Sequence, residues 1–109
     1  MSVNEVLRNA VLPHVPICEP GNYDGEEAEY CTFVIDDEPD VFAEGMPSVI
    51  RYPVILNWYL PSGVNPLKKK KSMCRALAAA GFTYPSVTNA SDEGGQHFVF
   101  ECELADGDV

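Results

Sequence analysis

"VIRYPVILNWYL", residues 49–60, decides the fold of this chain. Ile50, Tyr52, Val54, Leu56, Trp58 and Leu60 alternate with Val49, Arg51, Pro53, Ile55, Asn57 and Tyr59. One set is an unbroken apolar face and the other is mixed, which is the pattern of a strand with one side on a core. The run is too long to be an incidental extended segment and too strictly two-periodic to be a helix. Pro53 supplies no N–H to a ladder, so the strand is expected to have an edge or a bulge there.

Two further alternating runs flank it. From Glu29 to Asp36, Cys31, Phe33 and Ile35 point one way and Tyr30, Thr32 and Val34 the other. From His97 to Leu104, Phe98, Phe100, Cys102 and Leu104 face inward and His97, Val99, Glu101 and Glu103 outward. Helices frame these strands. Ser2-Val3-Asn4-Glu5 has the form of a capping box, Val3, Val6, Leu7, Ala10 and Val11 follow at helical spacing, and Pro13 ends the segment, giving a helix over about 3–12. A second helix begins after "PSGVNP", with Asn65 as cap and Pro66 in its first turn, and closes at Gly81. "TYPSVTNASDEGG", 83–95, carries at most a short strand. The acidic stretches "EPGNYDGEEAE" (19–29) and "DDEPDVFAEGMP" (36–47) read as loops. The expected fold is one α+β domain over residues 1–109. It has two layers, a mostly antiparallel sheet with two helices on one face, in the order α-β-β-α-(β)-β.

The 109 residues carry a formal net charge of −10, with 17 acids against seven Lys and Arg. Five of those seven lie together at Lys68, Lys69, Lys70, Lys71 and Arg75, leaving only Arg8 and Arg51 elsewhere. So acidic a body repels phosphates and favours cationic surfaces. Cys18, Cys31, Cys74 and Cys102 form no C-x-x-C pair and read as small buried hydrophobes rather than zinc ligands. The N-terminus lacks the charged and apolar regions of a signal peptide, and the longest apolar stretch, Pro53 to Pro61, is short of the roughly 20 residues of a membrane span.

Little in the chain suggests catalysis. Gly94-Gly95-Gln96 matches a signature of peptide-release factors, but paired glycines before an alternating run are a hairpin turn. Asp36, Asp37, Glu38 and Asp40 lack the alternate ligands and sixth-position glycine of a calcium loop, and no lysine follows them at nuclease spacing. His14 and His97 have no ligand or nucleophile partner on their own elements, and neither a phosphate-binding loop nor a catalytic elbow is present. No enzyme, metal or cofactor is expected.

The lysine run breaks a local rule, because it occupies the positive end of its helix, where cations are disfavoured. On a helical wheel Lys68, Lys71 and Arg75 form one cationic stripe, Leu67, Met73, Cys74 and Leu77 form the core face, and Lys70 must snorkel out of that face. Local failures of this kind mark candidate functional positions. The alternatives are a stripe that pairs with the chain's own acids or lies in solvent, a protein contact, and a nucleic-acid contact. The acidic body favours protein over nucleic acid.

"EYCTF" (29–33), "IRYPVILNWYLP" (50–61), "NPLKKKKSMCRALAAAGFTYPSV" (65–87) and "DEGGQHFVFEC" (92–102) together resemble small proteins of phage and prophage morphogenesis modules, among the head-tail joining and tail-completion (tail-terminator) proteins. The likeness runs from about Leu7 to Glu103. It implies a small α+β fold, no catalytic residues and no cofactor. It also implies a structural role in the neck, where such proteins form a ring, commonly of six subunits, at the end of the tail tube. The partners would be copies of the chain and other neck or tail proteins, without a small-molecule substrate, nucleic acid or membrane. The location would be the bacterial cytoplasm during assembly and then the virion. The long lysine run and Pro53 depart from that pattern. On this reading Lys68, Lys71 and Arg75 meet acidic residues of a neighbour, with the two loops Glu26 to Glu29 and Asp36 to Asp40 (Asp36, Asp37, Glu38 and Asp40) the complementary patches. The alternative function is a nucleic-acid-associated adaptor using the basic helix 66–80.

Overall fold

The computed structural model describes residues 2–43 and 46–105, with side chains for 2–38 and 50–104. Helix α1 (Val3–Val11) starts as the capping box requires, with the Ser2 hydroxyl accepting from the Glu5 N–H at 3.2 Å. It ends at Leu12, one residue before Pro13. A short strand β1 (Cys18–Pro20) follows, then β2 (Tyr30–Ile35), β3 (Glu38–Ala43) and β4 (Met46–Leu60). Helix α2 (Leu67–Ala79) and strands β5 (Ser86–Asn89) and β6 (Gln96–Ala105) complete the described chain. The sheet order is β1-β2-β4-β6-β5, with β3 paired to the far end of β4. Every pairing is antiparallel except β1–β2.

The two-layer α+β architecture agrees with the sequence reading, and the element order is richer than α-β-β-α-(β)-β. The expected loop 36–47 is largely strand. Asp36 and Asp37 form a two-residue break, after which Glu38–Ala43 pairs with the early part of β4. β2, β3 and β4 thus make one long hairpin. Asp40 is the extra residue of a bulge between the pairs Pro39–Ile50 and Val41–Val49. β4 begins at Met46 rather than Val49 because β3 is there to pair with it.

The break also explains Pro53. β4 is a central strand, lined by β6 from Arg51 to Leu60. On its other side β2 stops at the pair Ile35–Val54 and β3 begins at Glu38–Arg51. The Pro53 carbonyl accepts from the Asp36 N–H at 3.0 Å. A strand residue directs its N and its carbonyl to the same edge, so the missing N–H of Pro53 faces the Asp36–Asp37 interruption and costs the ladder nothing. The edge expected at Pro53 is a local gap on the β2–β3 side of β4, opposite the side that β6 covers from Arg51 to Leu60.

Register assigns the faces. Cys31–Trp58–Phe98 and Phe33–Leu56–Phe100 are cross-strand rows on the inner side, continued by Ile35–Val54–Cys102 and Tyr52–Leu104. Val3, Leu7 and Val11 of α1 and Met73, Cys74 and Leu77 of α2 are buried against them in one core. Both helices therefore cover one face of the sheet. α2 runs antiparallel to β4. Lys69 and Lys70, near its start, reach Glu29 and Phe98, while its end lies by Leu104 and Glu103. The molecule measures 54 × 26 × 24 Å.

α2 closes as Gly81 implies. Gly81 has φ +107°, and the Phe82 N–H reaches back to the Leu77 carbonyl at 3.1 Å, the longer bond of a Schellman turn. A Cβ at Gly81 would meet Leu104 Cδ1 at 3.2 Å. Gly81→Ala is expected to lose about 1–2 kcal/mol from the backbone alone, lowering Tm by roughly 4 °C or more. A calorimetric scan showing an unchanged Tm would contradict this account of the cap.

All four cysteines are buried free thiols. Burial pushes Cys18 and Cys102 from an ordinary 9.0 up to about 12, and raises Cys31 and Cys74 as well. An unfolded chain ionises its thiols near pH 9 while the folded chain keeps them protonated. The unfolded state then holds fewer protons, and stability falls as pH rises from about 9 toward 12. The urea midpoint is expected to drop between pH 8 and 10.5, and to drop less in Cys102→Ala. Equal pH dependence in the two proteins would show that thiol burial is not the cause.

Candidate functional site

α2 presents its basic residues in three different environments. Lys69 Nζ meets both carboxylate oxygens of Glu29, at 3.0 and 3.1 Å, and Glu29 Oε2 also accepts from the Trp58 indole Nε1 at 3.0 Å. Glu29 is the last residue of the acidic 19–29 loop, so this contact seals the loop, the helix and the core together at the Leu60 end of the sheet. Lys70 lies 5.5 Å from the Phe98 ring centroid, which is the snorkelling geometry its place on the core face requires. Lys68, Lys71 and Arg75 are exposed, and no ion pair joins them to another described residue.

Two competing readings of the lysine run therefore apply to different residues. Lys69 pairs within its own chain, and the three stripe residues form no such pair with the described residues. The local geometry follows from the sequence. Asn65 Oδ1 accepts from the Leu67 N–H at 3.0 Å, and Pro66 already has helical dihedrals. With this cap Met73, Cys74 and Leu77 face the core and the stripe faces outward, whereas Leu67, expected on the core face, is exposed because the first turn of α2 projects beyond the core. The first turn contains no acid to offset the cations at the positive helix end.

Of the two acidic loops, the first ends at Glu29 beside Lys69 and the second lies elsewhere. Asp36, Asp37 and Glu38 are exposed at the opposite end of β2 from Glu29. Seven strand steps separate Glu29 from Asp36, roughly 23 Å. Asp40 falls in the β3 bulge, with its side chain outside the described residues. The structure thus does not gather the candidate residues into one site. It separates them into a basic stripe on α2 that starts at the Leu60 end of the sheet and an acidic turn beside Pro53, midway along β4.

The sheet's second face holds a feature that sequence reading did not isolate. Tyr30, Tyr59 and His97 are cross-strand partners on the side away from the helices. Tyr23 stands 4.8 Å from Tyr30, Tyr30 stacks 4.8 Å from Tyr59, and Tyr59 stacks 4.3 Å from His97, all between ring centroids. His97 Nε2 is 2.9 Å from Asn57 Oδ1, which fixes the imidazole plane. Beside this row is an open cleft of about 550 Å³, whose floor and walls include Tyr30, Tyr59, His97 and Asp92. Alternation alone placed Tyr30, Tyr59 and His97 outward, but only the register stacks them.

The Gly94-Gly95-Gln96 triplet is a turn. Asp92 Oδ1 accepts from the Gly94 N–H at 2.8 Å, Asp92 and Gly95 form an isolated bridge, and Gln96 Nε2 donates to the Pro61 and Val64 carbonyls. The glutamine side chain is occupied in holding the β4–α2 connection. Among the described residues no three His, Cys, Asp or Glu side chains converge as metal ligands, and no helix is long and apolar enough to cross a membrane. Neither a family model nor a curated protein matches this sequence.

Proposed function

We propose that this chain is a non-enzymatic assembly protein of a phage or prophage head-tail neck, resembling a tail-completion or tail-terminator component, whose copies join head to tail into a ring. The observation that supports it is the separation of charge. The stripe Lys68, Lys71 and Arg75 lies on the outer side of α2, and the acidic turn Asp36-Asp37-Glu38 lies at the β2–β3 break beside Pro53. No ion pair joins the two among the described residues. Unlike patches on one subunit make a heterologous contact, and a heterologous contact that closes makes a ring. Charge pairs of this type steer and orient association and weaken with salt. They also account for cations at the wrong helix end, because their benefit arises on assembly.

The testing variant is K68E/K71E/R75E, introduced into the strain that carries the gene and into the purified protein. The domain is expected to stay folded, since none of the three residues is ion-paired with another described residue. Electron microscopy of the particles should show unjoined heads and tails, and sedimentation should show loss of any salt-sensitive self-association. Normal particles would overturn the reading. Normal particles together with lost affinity for duplex DNA would replace it with a nucleic-acid adaptor using helix 66–80.

A further inference from the structure

Neither described helix covers the outer face of the sheet, and two large apolar side chains are exposed on it. Below the Tyr30–Tyr59–His97 row, Thr32, Asn57 and Val99 form the next cross-strand row, and Val34, Ile55 and Glu101 the one after it. Val34 is 55% exposed and Ile55 44%. A face of this kind in a small domain marks a contact surface. Its charge indicates what it would contact. Asp92 lines the cleft and Glu93 stands beside it in the same exposed turn. Asp24, Glu26 and Glu27 are exposed on the loop that carries Tyr23 into the aromatic row. That loop is held in place by the Glu27 N–H donating to the Tyr23 hydroxyl at 3.1 Å. Glu101 continues the acidic border down the sheet, and the one described cation on this face, Arg51, is paired with Glu103 at 3.7 Å. Lys69 is turned to the other layer and neutralised by Glu29.

We infer that the aromatic cleft binds an extended, arginine- or lysine-bearing segment of a different protein. The rings cover one another's faces and turn their edges to the cleft, so a guanidinium or ammonium there is held by the bordering carboxylates of Asp92 and Glu93 and by the Tyr30 and Tyr59 hydroxyls as acceptors. Aromatic rows on open sheets also stack nucleobases, but here the surrounding acids repel the phosphates that come with them. The exposed Val34–Ile55 strip gives the apolar positions of the same segment a surface to cover. This surface is on the opposite layer from the Lys68–Arg75 stripe, so the inference does not depend on the assembly contact proposed above.

The test titrates three probes into the isotopically labelled protein: a blocked Gly-Arg-Ser-Arg-Gly peptide, its citrulline counterpart, and a twelve-residue oligothymidylate. The arginine peptide is expected to shift the amide signals of Tyr30, Tyr59, Gly95 and His97. The citrulline peptide, which keeps the shape and loses the charge, should bind at least tenfold more weakly. Tyr59→Leu and, separately, Asp92→Asn with Glu93→Gln should each weaken the arginine peptide at least threefold. The second variant leaves the aromatic packing untouched and keeps an amide oxygen at position 92 to accept from the Gly94 N–H. It therefore keeps the test open if Tyr59→Leu fails to fold. Equal binding of the two peptides, or tighter binding of the oligonucleotide, would overturn the inference. It is also overturned if the protein alone shifts the same signals with rising concentration and K68E/K71E/R75E abolishes that effect, because the occupant is then a second copy.

Discussion

Trp58→Ala is expected to cost about 3–5 kcal/mol, a large part of the roughly 5–15 kcal/mol that holds a domain of this size folded. Trp58 is fully buried, packs 5.5 Å from the Phe98 ring and 6.2 Å from Phe100, and lies between Cys31 and Phe98 in the central row of the sheet. Truncation removes more than volume. The indole N–H is one of the two groups holding Glu29, and Glu29 in turn holds Lys69. The variant thus leaves a cavity and loosens the contact joining the acidic loop to α2. The urea midpoint, followed by circular dichroism, should fall by at least about 1 M. Trp58→Phe separates the two causes in the main, since it retains most of the packing and loses the hydrogen bond to a carboxylate, typically about 1.5–3 kcal/mol. A truncation that moved the midpoint no more than Trp58→Phe would mean the core at this position collapses around the loss.

The second large effect is reciprocal rescue of assembly. If the stripe of one subunit meets the acidic turn of the next, K68E/K71E/R75E and D36K/D37K/E38K should each fail to self-associate alone. Each has one native patch and one reversed patch, so every contact in a pure sample joins like charges. In an equal mixture, the glutamate stripe of the first variant meets the lysine turn of the second. The native basic stripe of the second then meets the native acidic turn of the first. Both junctions join unlike charges, so mixed assemblies with alternating subunits should form. A single chain carrying both reversals should recover association fully, with its salt dependence preserved. Failure of the doubly reversed chain, with the fold intact by circular dichroism, would place the contact elsewhere on the surface.

Most of the secondary structure was legible because it obeys local rules. Ser2 and Pro13 bracket α1, Asn65 and Gly81 bracket α2, and the alternation at 30–35, 50–60 and 97–104 marks strands with the correct inner faces. β1 and β3 were missed for different reasons. β1 is three residues long, too short to show a period, and exists because Cys18 can lie beside Cys31 in a parallel pair. β3 is acidic and contains Pro39, which is loop composition, and becomes strand because β4 extends far enough to pair with it. At the candidate site the sequence carried the outward direction of Lys68, Lys71 and Arg75. It could not carry the assignment of Lys69 to Glu29, 40 positions away, nor the stacking of Tyr30, Tyr59 and His97, because both depend on register between distant strands.

The edges of the sheet that no other described strand covers share one property that bears on how copies can meet. β1 ends in Pro20, β3 contains Pro39, the part of β4 beyond the reach of β6 contains Pro47, and Pro85 immediately precedes β5. A proline offers no N–H to an incoming strand, and β1 and β5 are only three and four residues long. Continuous strand addition from one subunit to the next, the route by which exposed edges run on into fibres, is thus opposed by proline in β1, β3 and β4 and by the shortness of β5. If copies join in a closed number, as proposed above, that restriction leaves them to recognise one another through side chains, whose charge and shape can specify a single geometry, rather than through backbone, which would accept any strand at any register.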